Sequence, residues 1–359
     1  MKLDRLYPLS HSPIHFHFKQ TPSDFVVTEI PLYNFIGSGE HLILKVRKKG
    51  LTTWQMLEIL SNYLGVGIKE IGYAGLKDKD AMTIQHISIH RKYEDKLNGF
   101  SHKKIKILET TYHNNKLRIG HLKGNKFFIR IKKVNHIDAK KIDSLLKWIS
   151  KNGAPNYFGY QRFGRDGKNF QIAREIVEGK CKIRNKKRKN FLISAYQSHL
   201  FNLWLSKRIE ISRLFNGLNL KELKNIFEWS DEIIKLIYKQ QHFFKILPGD
   251  VANHYPYGKL FIVDNLEIEA NRMFNKEICP TGPLSGKRCK HSTGIAWEIE
   301  KEFIEDILAK GSRRYAWIWP EDVQGFYKQE VAHYELSFML PKGSYATVIL
   351  EMIANCSIR

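Results

Sequence analysis

The sequence predicts an α+β protein of two domains, one inserted into the other. Three observations carry this. A chain of 359 residues, 43% of them hydrophobic, is long for one core and suits about two. Short segments with the two-residue alternation of half-buried strands fill its N-terminal part, and a longer helical pattern fills the middle. After Gly311 a strand, a turn and a helix return, with the texture of the beginning. The expected division is a first domain of residues 1–155 plus 313–359 and an inserted second domain of residues 156–312. The ends of a compact domain often lie close, so such an insertion is cheap.

Taken in order, His15 and His17 alternate with Ile14, Phe16 and Phe18, as along a half-buried strand. Phe25–Ile30 reads as a strand with Glu29 in an otherwise apolar setting, and His41–Arg47 as another. Thr52 or Thr53 can cap a helix with Trp54, Leu57, Leu60 and Leu64 on one stripe, ended by Gly65 and Gly67. Gly72-Tyr73-Ala74-Gly75-Leu76-Lys77-Asp78-Lys79-Asp80 follows, a tight charged loop between two strands, and such loops often carry function. Lys103–Glu109 and Lys116–Ile119 read as short strands. Gly124-Asn125 reads as a turn feeding Phe127–Ile131, where Phe127 or Phe128 can stack on a base and Asn125 can orient a neighbouring loop.

Ile142, Leu145, Leu146 and Ile149 mark a helix. Residues 155–167 then interleave aromatics, amides, glycines and arginines without a period: a poor core sequence, suited to holding a phosphate, a base or another loop. Lys180, Lys182, Arg184, Lys186, Lys187, Arg188 and Lys189 form a basic run, either a solvated face or a contact for RNA backbone. Leu200, Leu203, Trp204 and Ile209 belong to a long helical region, and Ile299, Phe303, Ile304, Ile307 and Leu308 to an amphipathic helix. Tyr334, Leu336 and Phe338 mark a strand, and Ser344 can cap a final helix carrying Tyr345, Val348, Ile349 and Met352.

Lys plus Arg number 59 against 36 acids, a net charge of +23. That excess favours a polyanionic partner, nucleic acid first, through long-range attraction and counterion release. The basic residues are spread out, no stretch approaches ~20 apolar residues, and no membrane is expected. The N-terminus leads into no apolar run of signal-peptide length, and four scattered cysteines suit free thiols in a reducing compartment, so the cytoplasm is the expected location. Cys279, Cys289 and His291 are only loosely grouped, and no metal is expected. No Walker loop, dinucleotide fingerprint, Gly-x-Ser-x-Gly elbow or His-Glu-x-x-His is present, so no cofactor is expected either.

Asp78 is the leading nucleophile or base, since the neighbouring cations Lys77 and Lys79 favour its ionised form. A carboxylate can attack a sugar or an electron-poor ring. A protein that acts on one base of an RNA must take it out of the stack. The residues alone do not choose isomerisation over hydrolysis of the glycosidic bond, or either over plain RNA binding.

Gly75-Leu76-Lys77-Asp78-Lys79, with Ala81 and Thr83-Ile84-Gln85, resembles the catalytic loop of the TruD family of tRNA pseudouridine synthases. Asn156-Tyr157-Phe158-Gly159-Tyr160-Gln161-Arg162-Phe163-Gly164 is similar to that family's Asn-x-x-Gly-x-Gln-Arg-Phe-Gly signature, and Lys123-Gly124-Asn125-Lys126-Phe127 to a third. Pro22-x-Asp24-Phe25-x-Val27-x-Glu29 and Leu340-Pro341-x-Gly343-Ser344-Tyr345-Ala346-Thr347 also agree. The resemblance implies a mixed, mainly antiparallel catalytic sheet in permuted order with a family-specific inserted domain. It implies a monomer that isomerises a tRNA uridine, typically uridine 13, with Asp78 attacking a flipped-out nucleotide. Phe127 would lie beside the base in place of the tyrosine of other synthases, with Asn125 orienting the loop. Lys19 and Glu29 match positions lining the site, with Lys77 and Lys79 beside the nucleophile. Asn156, Gln161, Arg162 and Phe163 would brace the catalytic loop or meet the RNA.

Overall fold

The fold is described from a computed structural model, which describes residues 5–164 and 166–358. Arg165, in the aromatic–arginine loop, and residues 1–4 lie outside the described residues. The chain divides into two compact units. The sheet unit comprises residues 14–150 and 320–343; the second unit comprises residues 1–13, 151–319 and 344–359. In sequence, 151–319 is thus inserted between the two parts of the sheet unit. This division by contact assigns both terminal segments to the second unit.

In chain order the sheet unit holds β1 (Phe25–Pro31), β2 (His41–Lys49), α1 (Thr53–Leu64), β3 (Gly72–Tyr73), β4 (Met82–His90), β5 (Ile105–His113), β6 (Leu122–Lys132) and α2 (His136–Asn152, which ends just beyond it). Later segments supply further strands of the same sheet, Glu321–Lys328 and His333–Pro341. The eight-stranded sheet runs in the order 321–328, 333–341, β6, β1, β4, β2, β5, with β3 also on β4. β1 and β4 are parallel and the other pairs antiparallel, so the class is α+β with a mixed, mainly antiparallel sheet.

Each helix forms for a local reason. Thr52 caps α1, its side chain accepting from Gln55 N while Gln55 answers Thr52 N, and Gly65 ends it at φ 66°. Met56, Leu57, Leu60 and Leu64 bury against Leu42, Leu44, Val46, Ile87 and Ile89 of β2 and β4. Trp54, expected on that stripe, is exposed; Met56 is on the core side instead. α2 buries Ile142, Leu145, Leu146 and Ile149 as its period requires. Tyr334 hydrogen-bonds Asp143 of α2, so α2 lies over the other end of the same sheet face.

Several local expectations are corrected. Residues 14–18 form no strand; only His17 bridges to Lys132. Lys116–Ile119 is a loop, because Leu117 N is taken by the Ser88 hydroxyl at 2.9 Å rather than by a strand partner. Gly124-Asn125 is no turn but lies inside β6, where any side chain at 124 would meet the Leu340 carbonyl of the neighbouring strand.

The second unit carries, in order, β7 (Ala154–Pro155), α3 (Asn169–Val177), α4 (Lys186–Gly217), α5 (Leu220–Ile226), α6 (Asp231–Tyr238), β8 (Val251–His254), β9 (Leu260–Ile262), α7 (Leu266–Phe274), β10 (Ile278–Leu284), α8 (Gly294–Glu300), β11 (Ser312–Tyr315) and β12 (Trp317–Ile318). The later strands of the sheet unit are β13 (Glu321–Lys328) and β14 (His333–Pro341), and the chain closes with α9 (Ala346–Ala354) in the second unit. Four strands form a sheet in the order β11-β10-β8-β9. α4 runs 32 residues and buries Leu200, Trp204 and Ile209, while Leu203 is exposed. Arg208 and Asp250 form a fully buried two-pronged pair at 2.6 and 2.8 Å. The amphipathic helix expected over 299–308 ends early: α8 stops at Glu300, a single tight turn follows, and Leu308 is exposed. α9 is buried on every side, which its apolar composition demands, and Tyr345 rather than Ser344 holds its cap position.

Candidate active site

Strand register assembles the site. Lys48, Thr83, Val27, Phe127 and Phe338 lie in one row across β2, β4, β1, β6 and β14. Two residues along, Val46 pairs with Gln85, and Glu29 with Asn125 and Asn125 with Leu340; the β1–β4 ladder itself ends at Thr28–Ile84. Residues two apart on a strand share a face, so both sets look the same way. α1 covers the β2 end of this face and α2 the β13–β14 end. The residue types are unusual for a core: Lys48, Glu29, Thr83 and Gln85 are all buried.

The loop from Ala74 to Asp80 is fastened to this face at three points. Lys77 Nζ reaches Glu29 Oε2 at 2.7 Å, and both side chains are buried. Lys77 N donates to Thr53 Oγ1 at 2.8 Å, at the first residue of α1. Lys48 Nζ donates to Asp78 O at 2.9 Å and Leu51 O at 2.6 Å, with Lys77 O at 3.4 Å. Thr53 Oγ1 in turn donates to Gln85 Oε1 at 3.1 Å. Burial pushes the Glu29 carboxyl up, but the His86 and Lys77 groups outweigh it and hold it below its ordinary value. His86 N donates to Glu29 Oε1 at 3.1 Å.

Fastened this way, the loop leaves Leu76, Asp78, Lys79 and Asp80 exposed. A carboxylate thus stands at the surface on a backbone held by buried charges. The Lys77 ammonium does not face Asp78, as adjacency suggested; it closes on Glu29. Asp78 acts on both Lys48 and Lys19. Lys19 sits at φ 57° with its ammonium 4.4 Å from the centre of the Phe25 ring. Burial draws Lys19 below its ordinary value, against the pull of Asp78 and Asp80.

Phe127 is buried, its ring 6.1 Å from that of Phe25 and 5.7 Å from that of Phe338. Asn125 sits opposite Glu29, and its Oδ1 is buried with no hydrogen-bond partner among the described residues. Thr83 Oγ1, Gln85 Nε2 and His86 Nδ1 are in the same condition. Of these, His86 Nδ1 still lies 3.7 Å from Glu29 Oε1.

The sheet unit therefore brings together Lys19, Glu29, Lys77, Asp78, Lys79, Asn125 and Phe127. Asn156, Gln161, Arg162 and Phe163 belong to the second unit, where they knit its own parts. Asn156 receives Arg314 Nη2 at 2.7 Å and donates to Tyr315 O at 3.0 Å. Gln161 Oε1 accepts from Thr347 at 3.2 Å, and Arg162 Nε reaches Ser198 Oγ at 3.2 Å. Phe163 has no exposure and packs its ring edge-on to Phe170. Sequence reasoning missed Lys48, Thr53, Gln85 and His86. Of these, only Gln85 had a signal, its place in the loop motif.

Lys180, Lys182, Arg184, Lys186, Lys187, Arg188 and Lys189 are all exposed. Lys180 pairs with Glu178 at 2.7 Å; from Lys182 to Lys189 no ion pair occurs among the described residues. Lys186–Lys189 occupy the first turn of α4, which Asn185 caps. Cations there oppose the helix dipole, a cost that an approaching polyanion would reverse. Changing Lys186, Lys187, Arg188 and Lys189 to Gln is expected to weaken RNA binding and to flatten the slope of log K against log salt by roughly 2 to 4. Binding titrations from low to high salt measure this, and an unchanged slope would leave the run a solvated face.

Among the described residues no three His, Cys, Asp or Glu side chains gather as a metal site, and no helix is long and apolar enough to cross a membrane.

The family model "tRNA pseudouridine synthase D (TruD)" matches residues 4–186 and 231–353, so the unmatched stretch falls mainly on α4 and α5. A tRNA pseudouridine synthase D of Nitratiruptor sp. is 58% identical over 358 residues, 99% of each chain. That of Sulfurimonas denitrificans is 56% identical over 357 residues, 99% of this chain and 100% of the relative. A solved structure of a candidate tRNA pseudouridine synthase D from Methanosarcina mazei shares the fold with a TM-score of 0.72, at 21% identity, over 98% of this chain and 96% of that one.

Proposed function

The chain belongs to the TruD family of tRNA pseudouridine synthases, and from that premise we propose that it isomerises uridine 13 of tRNA with Asp78 as nucleophile. Synthase activity on tRNA goes with the family. One observation carries the roles: the Asp78 carboxylate is exposed on a loop whose backbone and neighbouring side chain are fixed by Lys48, Thr53 and Glu29. Rigid placement of the attacking group is the main thing a protein can supply to such a reaction.

The target nucleotide leaves the stack so that Asp78 can attack the uridine. The N1–C1′ bond breaks, the uracil turns, C5 joins C1′, and the Asp78 carboxylate is released. C5 gives up its proton and N1 gains one, so the mass does not change. Lys19 and Lys79 supply positive charge near the departing base and its phosphates. Asn125 presents an unmatched buried oxygen beside Glu29. Phe127 forms, with Phe25 and Phe338, the aromatic floor of the face. The protein acts as a monomer in the cytoplasm.

The test is the product. After incubation with an unmodified tRNA, nucleoside digestion and chromatography should give pseudouridine, an isomer of uridine with unchanged mass. Free uracil and an abasic site would make the enzyme a hydrolase. Bound but unchanged tRNA would make it a binder.

A further inference from the structure

We infer that Lys48 is a positioning residue for the nucleophile: its ammonium fixes the backbone at Lys77 and Asp78 and so aims the Asp78 carboxylate. The inference rests on the reading of Asp78 as nucleophile and goes beyond it. Lys48 has no exposure, which is rare for lysine unless its charge is matched. Among the described residues no carboxylate hydrogen-bonds it. Its partners are backbone carbonyls: Leu51 O at 2.6 Å and Asp78 O at 2.9 Å, with Lys77 O at 3.4 Å. An ammonium has three donors and no acceptor, so three carbonyls saturate it.

Two of those carbonyls belong to the nucleophile and the residue before it. The third, from Leu51, ties them to the turn leading into α1. Charge-assisted bonds of this kind are stronger than neutral ones and hold a loop that has few apolar contacts of its own. A fold needing only a closed loop could have used a neutral donor. A buried cation at this spot also places a positive charge near the Asp78 carboxylate, and Asp78 is the anion that acts on Lys48. Lys48 sits in the cross-strand row that also holds Phe127, so one row of the sheet carries both the aromatic floor and the loop's anchor.

Burial lowers the Lys48 ammonium to about 8; Asp78 acts to raise it and Lys77 to lower it further. A neutral amine has only two N–H donors, so above about pH 8 one of the three carbonyls is released. The rate should then fall. Stability should move the other way. Between about 8 and the ordinary 10.5 the unfolded chain binds the proton and the folded chain does not, so stability rises with pH through that window. A purely structural lysine would not make activity and stability diverge.

The experiment measures single-turnover rates at saturating enzyme, tRNA dissociation constants and thermal unfolding, from about pH 6.5 to about 9.5. Wild type, Lys48→Met, Lys48→Arg and Asp78→Asn are compared. The Lys48→Met rate should fall roughly a hundredfold with binding within a few-fold, the scale on which a misplaced reacting group is felt. Lys48→Arg, which keeps its charge, should recover part of the rate and lose the wild-type fall near pH 8. A wild-type rate in Lys48→Met, or a fall near pH 8 unchanged in Lys48→Arg, overturns the inference. Should Lys48→Met not fold, the wild-type profile and Lys48→Arg still decide. An inactive Asp78→Asn beside an unaffected Lys48→Met sinks this inference alone; an active Asp78→Asn sinks the reading beneath it.

Discussion

Asp78→Asn is expected to lower pseudouridine formation by roughly 10⁴-fold or more, the scale seen when a group acting on the reacting atoms is removed. The substitution keeps size and shape, and the side chain is exposed, so folding should be undisturbed. The loop is fastened through Lys77, Lys48 and Thr53 and not through the Asp78 carboxylate. Affinity for tRNA should therefore change by no more than a few-fold. Initial-rate assays with tRNA transcript, together with binding titrations, separate the two effects. Full turnover in the variant would remove Asp78 from the chemistry.

The second large effect concerns stability. Glu29 and Lys77 form a buried ion pair, their side chains 1% and 6% exposed. Breaking a buried pair by removing one partner leaves an unmatched charge and costs about 3–5 kcal/mol. Lys77→Met is expected to destabilise the protein by about that much in urea unfolding, and to lower activity as the loop loosens. Glu29→Leu combined with Lys77→Met should return most of the stability, since well-packed apolar pairs often replace buried ion pairs without loss. Activity should stay low in the double variant. Stability and activity recovering together would mean that the pair serves only folding.

The same pair fixes a pH dependence. The Glu29 carboxyl lies below its ordinary 4.5 in the folded state: burial opposes this, and His86 and Lys77 outweigh burial. A depressed carboxylate contributes its stability fully above the unfolded value and loses it as the pH falls through the folded one. An acid limb of stability below about pH 4.5 follows, and Glu29→Gln should flatten it.

Much of the sheet was legible because two-residue alternation is a strong signal. Phe25–Ile30, His41–Arg47 and Tyr334–Phe338 all lie in strands, and the helix at Ile142–Ile149 buries the residues its period marks. Glu29 stood out as an acid in an apolar run, and the structure gives it Lys77. The failures share a cause: partners distant in sequence. Lys48 follows the expected strand His41–Arg47 with nothing local to mark it, since its partners are the carbonyls of Lys77 and Asp78. Lys77 looked like a companion of Asp78 because sequence shows adjacency and not direction. Thr53 looked like an alternative cap, whereas Thr52 caps and Thr53 holds the loop. Phe163 matched a functional signature but is fully buried, so its value is in packing α3. Lys116–Ile119 has strand-like composition, and the Ser88 hydroxyl takes one of the backbone donors a strand would need.

The most direct measurement of the central claim is pseudouridine mapping of total tRNA from cells with and without this gene. Pseudouridine at position 13 should be present with the gene, vanish without it, and return with the wild-type gene but not with Asp78→Asn. Loss at no position, or equal rescue by Asp78→Asn, would contradict it.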